Sequence, residues 1–177
     1  MFLPVSDASP LIYLARLGKF HLLRDVFGRV QVPPEVKVEA VDRGKAEGYS
    51  DAYVIEEAIA EGWLVVGALT DESMKKSEAL ASMAGIEVGE AQVIVLAKQK
   101  GEGEVLIDQS DAREAARHFT LRPKGTVFII FRAVKKGLMS KDDAKDMLDR
   151  LVEANFYSSV KIYRDALKAI EEFINHT

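Results

Sequence analysis

The chain is 177 residues long, 48% hydrophobic and 29% charged, the make-up of a globular domain and not of a disordered or fibrous chain; with no cysteine, disulfides and thiolate metal sites are excluded and a reducing compartment is expected. The opening MFLPVSD lacks the basic region and continuous apolar core of a signal peptide, and no apolar run approaches the ~18 residues that span a bilayer, so a soluble, cytoplasmic protein with no membrane partner is expected. The net charge of −4 is unevenly spread: residues 51–90 hold nine acids against Lys75 and Lys76, while residues 113–137 hold seven bases against Glu114 alone, so a local basic surface can sit on an acidic protein.

Taken in chain order, short apolar stretches alternate with helical patterns. FLPVSD reads as a first strand, and PLIYLARLG as a helix for which Ser9 supplies the cap and Pro10 the first-turn proline. KFHLLRDVFG is a second short helix with Phe20, Leu23 and Phe27 on one stripe, RVQVPP a short strand, and Pro34 opens a helix through about Arg43. DAYVIEEAIAEG places Val54, Ile55, Ala58 and Ile59 on one helical face and stops at Gly62; WLVVGAL then reads as a strand of the buried type.

TDESMKKSEALASMAG is a helix with Thr70 as N-cap and Gly85 as stop, GEAQVIVLAKQKG another helix, EVLID a further buried strand, and residues 110–118 a helix with His118 packed at its end. GTVFIIFRAVKKG combines a β-branched centre with a helical length and a Lys-Lys-Gly ending, and is read as helix. Ser140 and Asp143 form a capping pair for KDDAKDMLDRLVEA, and a last helix runs from about Ser159 to Asn175. This alternation predicts an α/β protein, a three-layer α/β/α sandwich with a mainly parallel central sheet plus C-terminal helices. The expected division is a domain over 1–139 and a helical extension over 140–177 packed on the same domain.

Two predicted strands end in aspartate, at Asp7 and Asp108, and ligands of open α/β sheets lie beyond the carboxyl ends of the strands. Three further acids could meet them there. Glu39 lies one turn into the helix that Pro34 opens, Glu90 begins a strongly apolar helix, and Asp111 follows the turn after Asp108. Each has an ordinary alternative: first-turn stabilisation for Glu90 and Asp111, capping for Asp108, a solvated helix position for Glu39. Asp7 has the weakest structural excuse. Converging carboxylates repel unless a cation sits between them. Oxygen ligands without histidine or cysteine suit a hard ion, Mg²⁺ or Mn²⁺, and the matching chemistry is metal-assisted phosphodiester hydrolysis. None of His21, His118 or His176 falls beside these acids.

The stretches VSDASPLIYL, VQVPPEVKVEAV, VGEAQVIVLA and VLIDQSDAREAARHFTL, followed by GTVFIIFRAVKKGLMS, resemble the PIN-domain nucleases, and among them the prokaryotic branch of short stand-alone, VapC-toxin-like proteins. That resemblance implies that Asp7, Glu39, Glu90 and Asp108 are catalytic metal ligands, that Asp111 supports or shares that role, and that Ser9 orients Asp7 or a metal-bound water. It also implies cleavage of single-stranded RNA by an endoribonuclease, often the toxin of a toxin–antitoxin pair, with an antitoxin protein and a homodimer as possible partners. The residues themselves add a substrate surface: Arg113 and Arg117 stand one helical turn apart just after Asp108 and Asp111, with Arg122 and Lys124 following, and such bases would contact RNA phosphates without regard to sequence. The alternative is a catalytically inactive PIN fold that binds RNA or protein. A phosphatase with an aspartyl nucleophile is disfavoured, because Ser9 stands where its second acid belongs, and no Gly-rich loop follows the first strand to suit a Rossmann enzyme.

Overall fold

Five short strands build the core of the chain in this computed structural model, which describes residues 3–154, 156 and 160–172. They are β1 (Val5–Ser6), β2 (Val30–Val32), β3 (Leu64–Val66), β4 (Glu104–Leu106) and β5 (Arg122–Lys124). The sheet order is β3-β2-β1-β4-β5 and every neighbouring pair is parallel, Val5 standing opposite Gln31 on one side and Val105 on the other. Parallel neighbours need crossovers, and the intervening helices cover the sheet in the three-layer α/β/α arrangement expected from the sequence.

The helices of the first unit, Met1–Thr126, are α1 (Ala8–Arg16), α2 (His21–Phe27), α3 (Pro34–Lys37), α4 (Gly44–Ala46), α5 (Asp51–Ala60), α6 (Asp71–Ala84), α7 (Val88–Lys100) and α8 (Ser110–His118). Between α3 and α4 the chain winds as a π-helical turn, Val38–Arg43. α7 is buried from Gly89 to Ala97 on every side, which is why its sequence lacks a polar face, and it packs on β1 and β4. α9 (Thr126–Lys135) starts on the last residue of this unit. The second unit, Val127–Thr177, continues through α10 (Lys141–Glu153) and α11 (Val160–Glu172), which pack on each other, and Leu148, Leu151 and Ile170 on them are buried.

Several expectations are met in detail. Thr70 Oγ1 accepts from the Ser73 N–H at 3.1 Å, Gly85 ends α6 in the left-handed region (φ 65°), and Ser140 Oγ accepts from the Asp143 N–H at 3.0 Å. Others need correcting. No strand is expected at 122–124, because Arg-Pro-Lys has no strand propensity; as the outer strand of the sheet, β5 accommodates Pro123, whose missing N–H is tolerated only at an edge. The WLVVGAL strand is the opposite edge, so its burial fades and Val66 is exposed. On α5 the buried face is Asp51, Ala52, Ile55 and Ala58, and Val54 points to solvent. The Pro34 helix runs on to Ala46 with the π-helical turn in its middle, and His118 ends α8 exposed, not packed. The expected ends of the last helix, Ser159 and Asn175, lie outside the described residues.

Candidate metal centre

The order of the strands places the site. The chain fills β2 and β3 on one side of β1 and then crosses to β4 and β5 on the other, so the order reverses between β1 and β4, the position where open α/β sheets take ligands. Asp7 is the residue immediately after β1, and its N–H extends the ladder by donating to Leu106 O at 2.9 Å. Asp108 follows β4 by two residues. The two aspartates therefore leave adjacent strands at the switch point.

Asp7 itself occupies the N-cap position of α1, with extended backbone (φ −77°, ψ 170°), and Ser9 lies inside the first helical turn; this corrects the expectation that Ser9 is the cap. The Asp7 side chain makes no capping bond, however, and is only 4% exposed. A buried carboxylate at a cap position that does not cap is available for something else.

Glu39 rides on the π-helical turn, whose i→i+5 bonding widens the helix and is frequent at functional sites. The start of α3 is fixed by the Glu35 N–H, which donates to Gln92 Oε1 of α7 at 3.0 Å. Gln92, 2% exposed, thus ties the element that carries Glu39 to the helix that carries Glu90; sequence reading missed it, because a glutamine in an apolar helix announces no partner. Gly89 marks how close the acids come. A Cβ there would stand 3.5 Å from Glu39 Oε2 and 3.9 Å from Asp7 Oδ1.

The ordinary roles considered for Glu90 and Asp108 are present too. Glu90 Oε2 accepts from the Glu87 N–H at 2.9 Å, one half of a capping box at the start of α7. Asp108 accepts from the Thr126 N–H through Oδ1 and from Thr126 Oγ1 through Oδ2, both at 2.7 Å. Thr126 is fully buried, and no sequence signal beyond the Gly-Thr start of its helix pointed to it. A carboxylate oxygen has two lone pairs, so each bond orients the acid and leaves acceptor capacity. Asp111 is exposed in the first turn of α8, and Ser9 is half-buried.

The electrostatics join these positions. Burial pushes the Asp7 carboxyl up to about 7; the Ala8 N–H opposes it, and the charges of Glu90, Glu39 and Asp108 add to it. Burial also raises Glu39, against the pull of Arg43 and with the help of Glu87 and Glu35. Glu90 is raised by burial, opposed by its bond from Glu87 N–H, and reinforced by the charges of Glu87, Glu39 and Asp111. Burial raises Asp108 against its two Thr126 bonds and Arg113. The nearby cations offset this only in part, because Arg43 pairs with Glu35 at 2.8 Å and Arg113 Nη1 donates to Ile107 O at 2.9 Å.

Among the described residues no three acids or histidines close into a ready-made metal cluster. The acids are neighbours through their fields. All four resist ionisation together, and a divalent cation among them would relieve that resistance; oxygen-only donors fit a hard ion. Of the four bases expected at an RNA surface, Arg113 is turned inward beside Asp108, while Arg117 and Arg122 are exposed and Lys124 is partly so.

A family model described as PIN domain matches residues 3–172. The chain belongs to the PIN-domain family. PIN domains are generally nucleases that use divalent metal ions. No curated protein matches the chain. Among the described residues no helix is long and apolar enough to cross a membrane.

Proposed function

We propose that this PIN domain is a divalent-metal-dependent endoribonuclease that cleaves phosphodiester bonds of single-stranded RNA. The observation that carries this reading is Asp7: a buried carboxyl at the switch point, raised to about 7, bearing the fields of Glu39, Glu90 and Asp108 and no capping duty. Asp7, Glu39, Glu90 and Asp108 would hold Mg²⁺ or Mn²⁺, with Asp111 at the rim. Bound there, the ion supplies a water of lowered pKa and charge stabilisation for the attacking and leaving oxygens.

The protein's own part is positional. β1 and β4 fix Asp7 and Asp108 side by side, Thr126 holds the Asp108 carboxylate, Gln92 holds the Glu39 element against α7, and the acids would give up their protons to bind a cation. Arg117, Arg122 and Lys124 would hold phosphates on either side of the scissile bond. A toxin role with an antitoxin partner, and a homodimer, belong to this reading through the likeness to the VapC-like branch.

A second reading, an inactive RNA- or protein-binding module, is favoured by the bonds already made by Glu90 Oε2 and by both Asp108 oxygens. One assay separates the two. Defined single-stranded RNAs are incubated with wild type and Asp7→Asn in Mg²⁺, Mn²⁺ and EDTA. Metal-dependent cleavage by wild type alone supports the nuclease; equal cleavage, or none, sinks it.

A further inference from the structure

Beside Glu39 the first unit opens a separate cleft of about 340 Å³, lined by Arg16 of α1, Glu39 and Arg43 of the π-helical turn, and Tyr49 and Asp51 ahead of and in α5. That volume sits at the small end of small-molecule sites, ~300–1,000 Å³, a fit for one nucleotide and not for a peptide helix. Its contents are specific. Tyr49 is 45% exposed, and the Arg16 guanidinium lies over its ring, 5.1 Å from the centroid. Asp51 is 7% exposed, and among the described residues its carboxylate is met by Arg16 alone, Nε to Oδ1 at 3.4 Å, the long limit of a hydrogen bond. Every fully buried side-chain nitrogen or oxygen among the described residues has a partner. Among the described residues Oδ2 of Asp51 has none, so it keeps some exposure, and Asp51 is one of the residues that line the cleft.

We propose that this cleft is a nucleobase subsite for the RNA strand and that it selects guanine. The proposal rests on the nuclease reading, since Glu39 is shared between the cleft and the metal centre, which makes the bound base that of a nucleotide flanking the cleaved bond. An aromatic ring backed by a guanidinium is a stacking platform for any base. The carboxylate supplies the choice. Guanine offers two adjacent donors, N1–H and the 2-amino group, which the carboxylate would accept together, one at Oδ2 and one at the lone pair of Oδ1 that the long contact with Arg16 leaves over. Adenine and cytosine offer an amino group beside a ring acceptor that the carboxylate repels, and uracil offers one N–H between two carbonyls. The walls set Arg16 and Arg43 beside Glu39, Glu47 and Asp51, so an arginine side chain is the ligand that competes with the base for this carboxylate.

The test uses the full chain with Mn²⁺ and uridine-rich single-stranded oligonucleotides carrying one guanosine, inosine or adenosine. Inosine lacks only the 2-amino group. Wild type is expected to cleave beside guanosine about tenfold faster in kcat/KM than beside inosine or adenosine, the range of one bidentate base contact. Asp51→Asn should abolish the guanosine–inosine ratio, a comparison within one protein that partial unfolding does not move. Tyr49→Ala should lower kcat/KM at every base by roughly tenfold and Tyr49→Phe should not. Equal rates for guanosine and inosine in wild type, or an unchanged ratio in Asp51→Asn, overturn the proposal. Capture of an arginine-rich peptide at Tyr49 without any base preference overturns it in favour of a protein ligand. Loss of any difference between wild type and Asp7→Asn is a separate result, which removes the nuclease reading and this subsite with it.

Discussion

Thr126 grips Asp108 at both carboxylate oxygens, its N–H on Oδ1 and its hydroxyl on Oδ2, each at 2.7 Å across 18 residues of sequence. The bond from the amide lets an acid from beyond β4 serve the first N–H of α9, and the bond from the hydroxyl fixes the rotation of the carboxylate. Partners of this kind orient ligating acids, and their loss typically costs 10–100-fold in metal affinity or activity. Thr126→Val keeps the shape and removes one donor from a half-buried carboxylate, so we expect it to lower stability by about 1–3 kcal/mol and Mn²⁺-dependent cleavage by ~10–100-fold. Thr126→Ser should restore both. Gly125→Ala places a Cβ 2.7 Å from Asp108 Oδ1 and 3.3 Å from Arg113 Nη1, so it should damage the same clasp. Cleavage rates and melting temperatures of the three variants check this, and full activity of Thr126→Val would show that the clasp is only structural.

The raised acids make stability depend on pH in a definite direction. Asp7 has a folded value of about 7 against an ordinary 3.8. Between those values the folded chain keeps a proton that the unfolded chain has released. Its contribution is therefore fully present below about 3.8 and is lost as pH rises through about 7. Glu39, Glu90 and Asp108 are shifted the same way. Without divalent ions the protein should be more stable at pH 5 than at pH 8, and Asp7→Asn should be the more stable protein at pH 8, by up to about 4 kcal/mol. Mn²⁺ should raise the wild-type melting temperature more at pH 8 than at pH 5.5, because protons compete for the same oxygens, and should do little for Asp7→Asn. Melting curves at the two pH values with Mn²⁺ and with EDTA decide it.

The strand-to-helix step at Asp7 was legible because FLPVSD and PLIYL carry different periods on either side of one carboxylate, and the same holds for EVLID ahead of Asp108. The π-helical turn under Glu39 was not, since apolar spacing does not encode which carbonyl an amide chooses over one widened turn. β5 was hidden by Arg122 and Lys124 flanking a proline, residues that an edge tolerates and a periodicity count rejects. Thr126 and Gln92 were invisible for a different reason: each reaches the site's elements across a long stretch of sequence, Thr126 on Asp108 18 residues away and Gln92 on the Glu35 amide 57 residues away. Local pattern singled out the candidate acids; the bonds that orient Asp108 and the Glu39 element are long-range.

Glu90 combines two roles that substitution separates. Its Oε2 closes a capping box with the Glu87 N–H, and its charge is felt at Asp7. Glutamine serves a capping box as glutamate does, whereas alanine does not. Glu90→Gln should keep the melting temperature at neutral pH or raise it while lowering metal-dependent cleavage at least tenfold. Glu90→Ala should lose the cleavage and also about 1 kcal/mol of stability. If Glu90→Gln cleaves normally, the residue is a cap and nothing more.

The basic residues divide by where they point. Arg117 is exposed, and Arg117→Ala should weaken RNA binding equally for all sequences and reduce the slope of log affinity against log salt by about one. Arg113 spends Nη1 on Ile107 O and lies against the Asp108 clasp, so Arg113→Ala should lower the melting temperature. Binding titrations of Asp7→Asn background proteins at several salt concentrations, beside melting curves, tell the two effects apart.

Gly89 offers a change that should strengthen the fold and harm the site. It lies in the first turn of α7, where alanine is the better helix former by up to ~1 kcal/mol. The added Cβ would meet Val36 Cγ2 and Glu39 Oε2 at 3.5 Å, ordinary contact distances, so nothing has to move to admit it. It would nevertheless stand between Glu39 and Asp7, 3.9 Å from Asp7 Oδ1, and a cation drawing those two acids together needs that space. Gly89→Ala should therefore melt at or above the wild-type temperature in EDTA, gain less than wild type from added Mn²⁺, and cleave RNA at least tenfold more slowly. A variant that binds Mn²⁺ as wild type does, judged by that thermal shift, would mean that Glu39 and Asp7 do not serve a common ion.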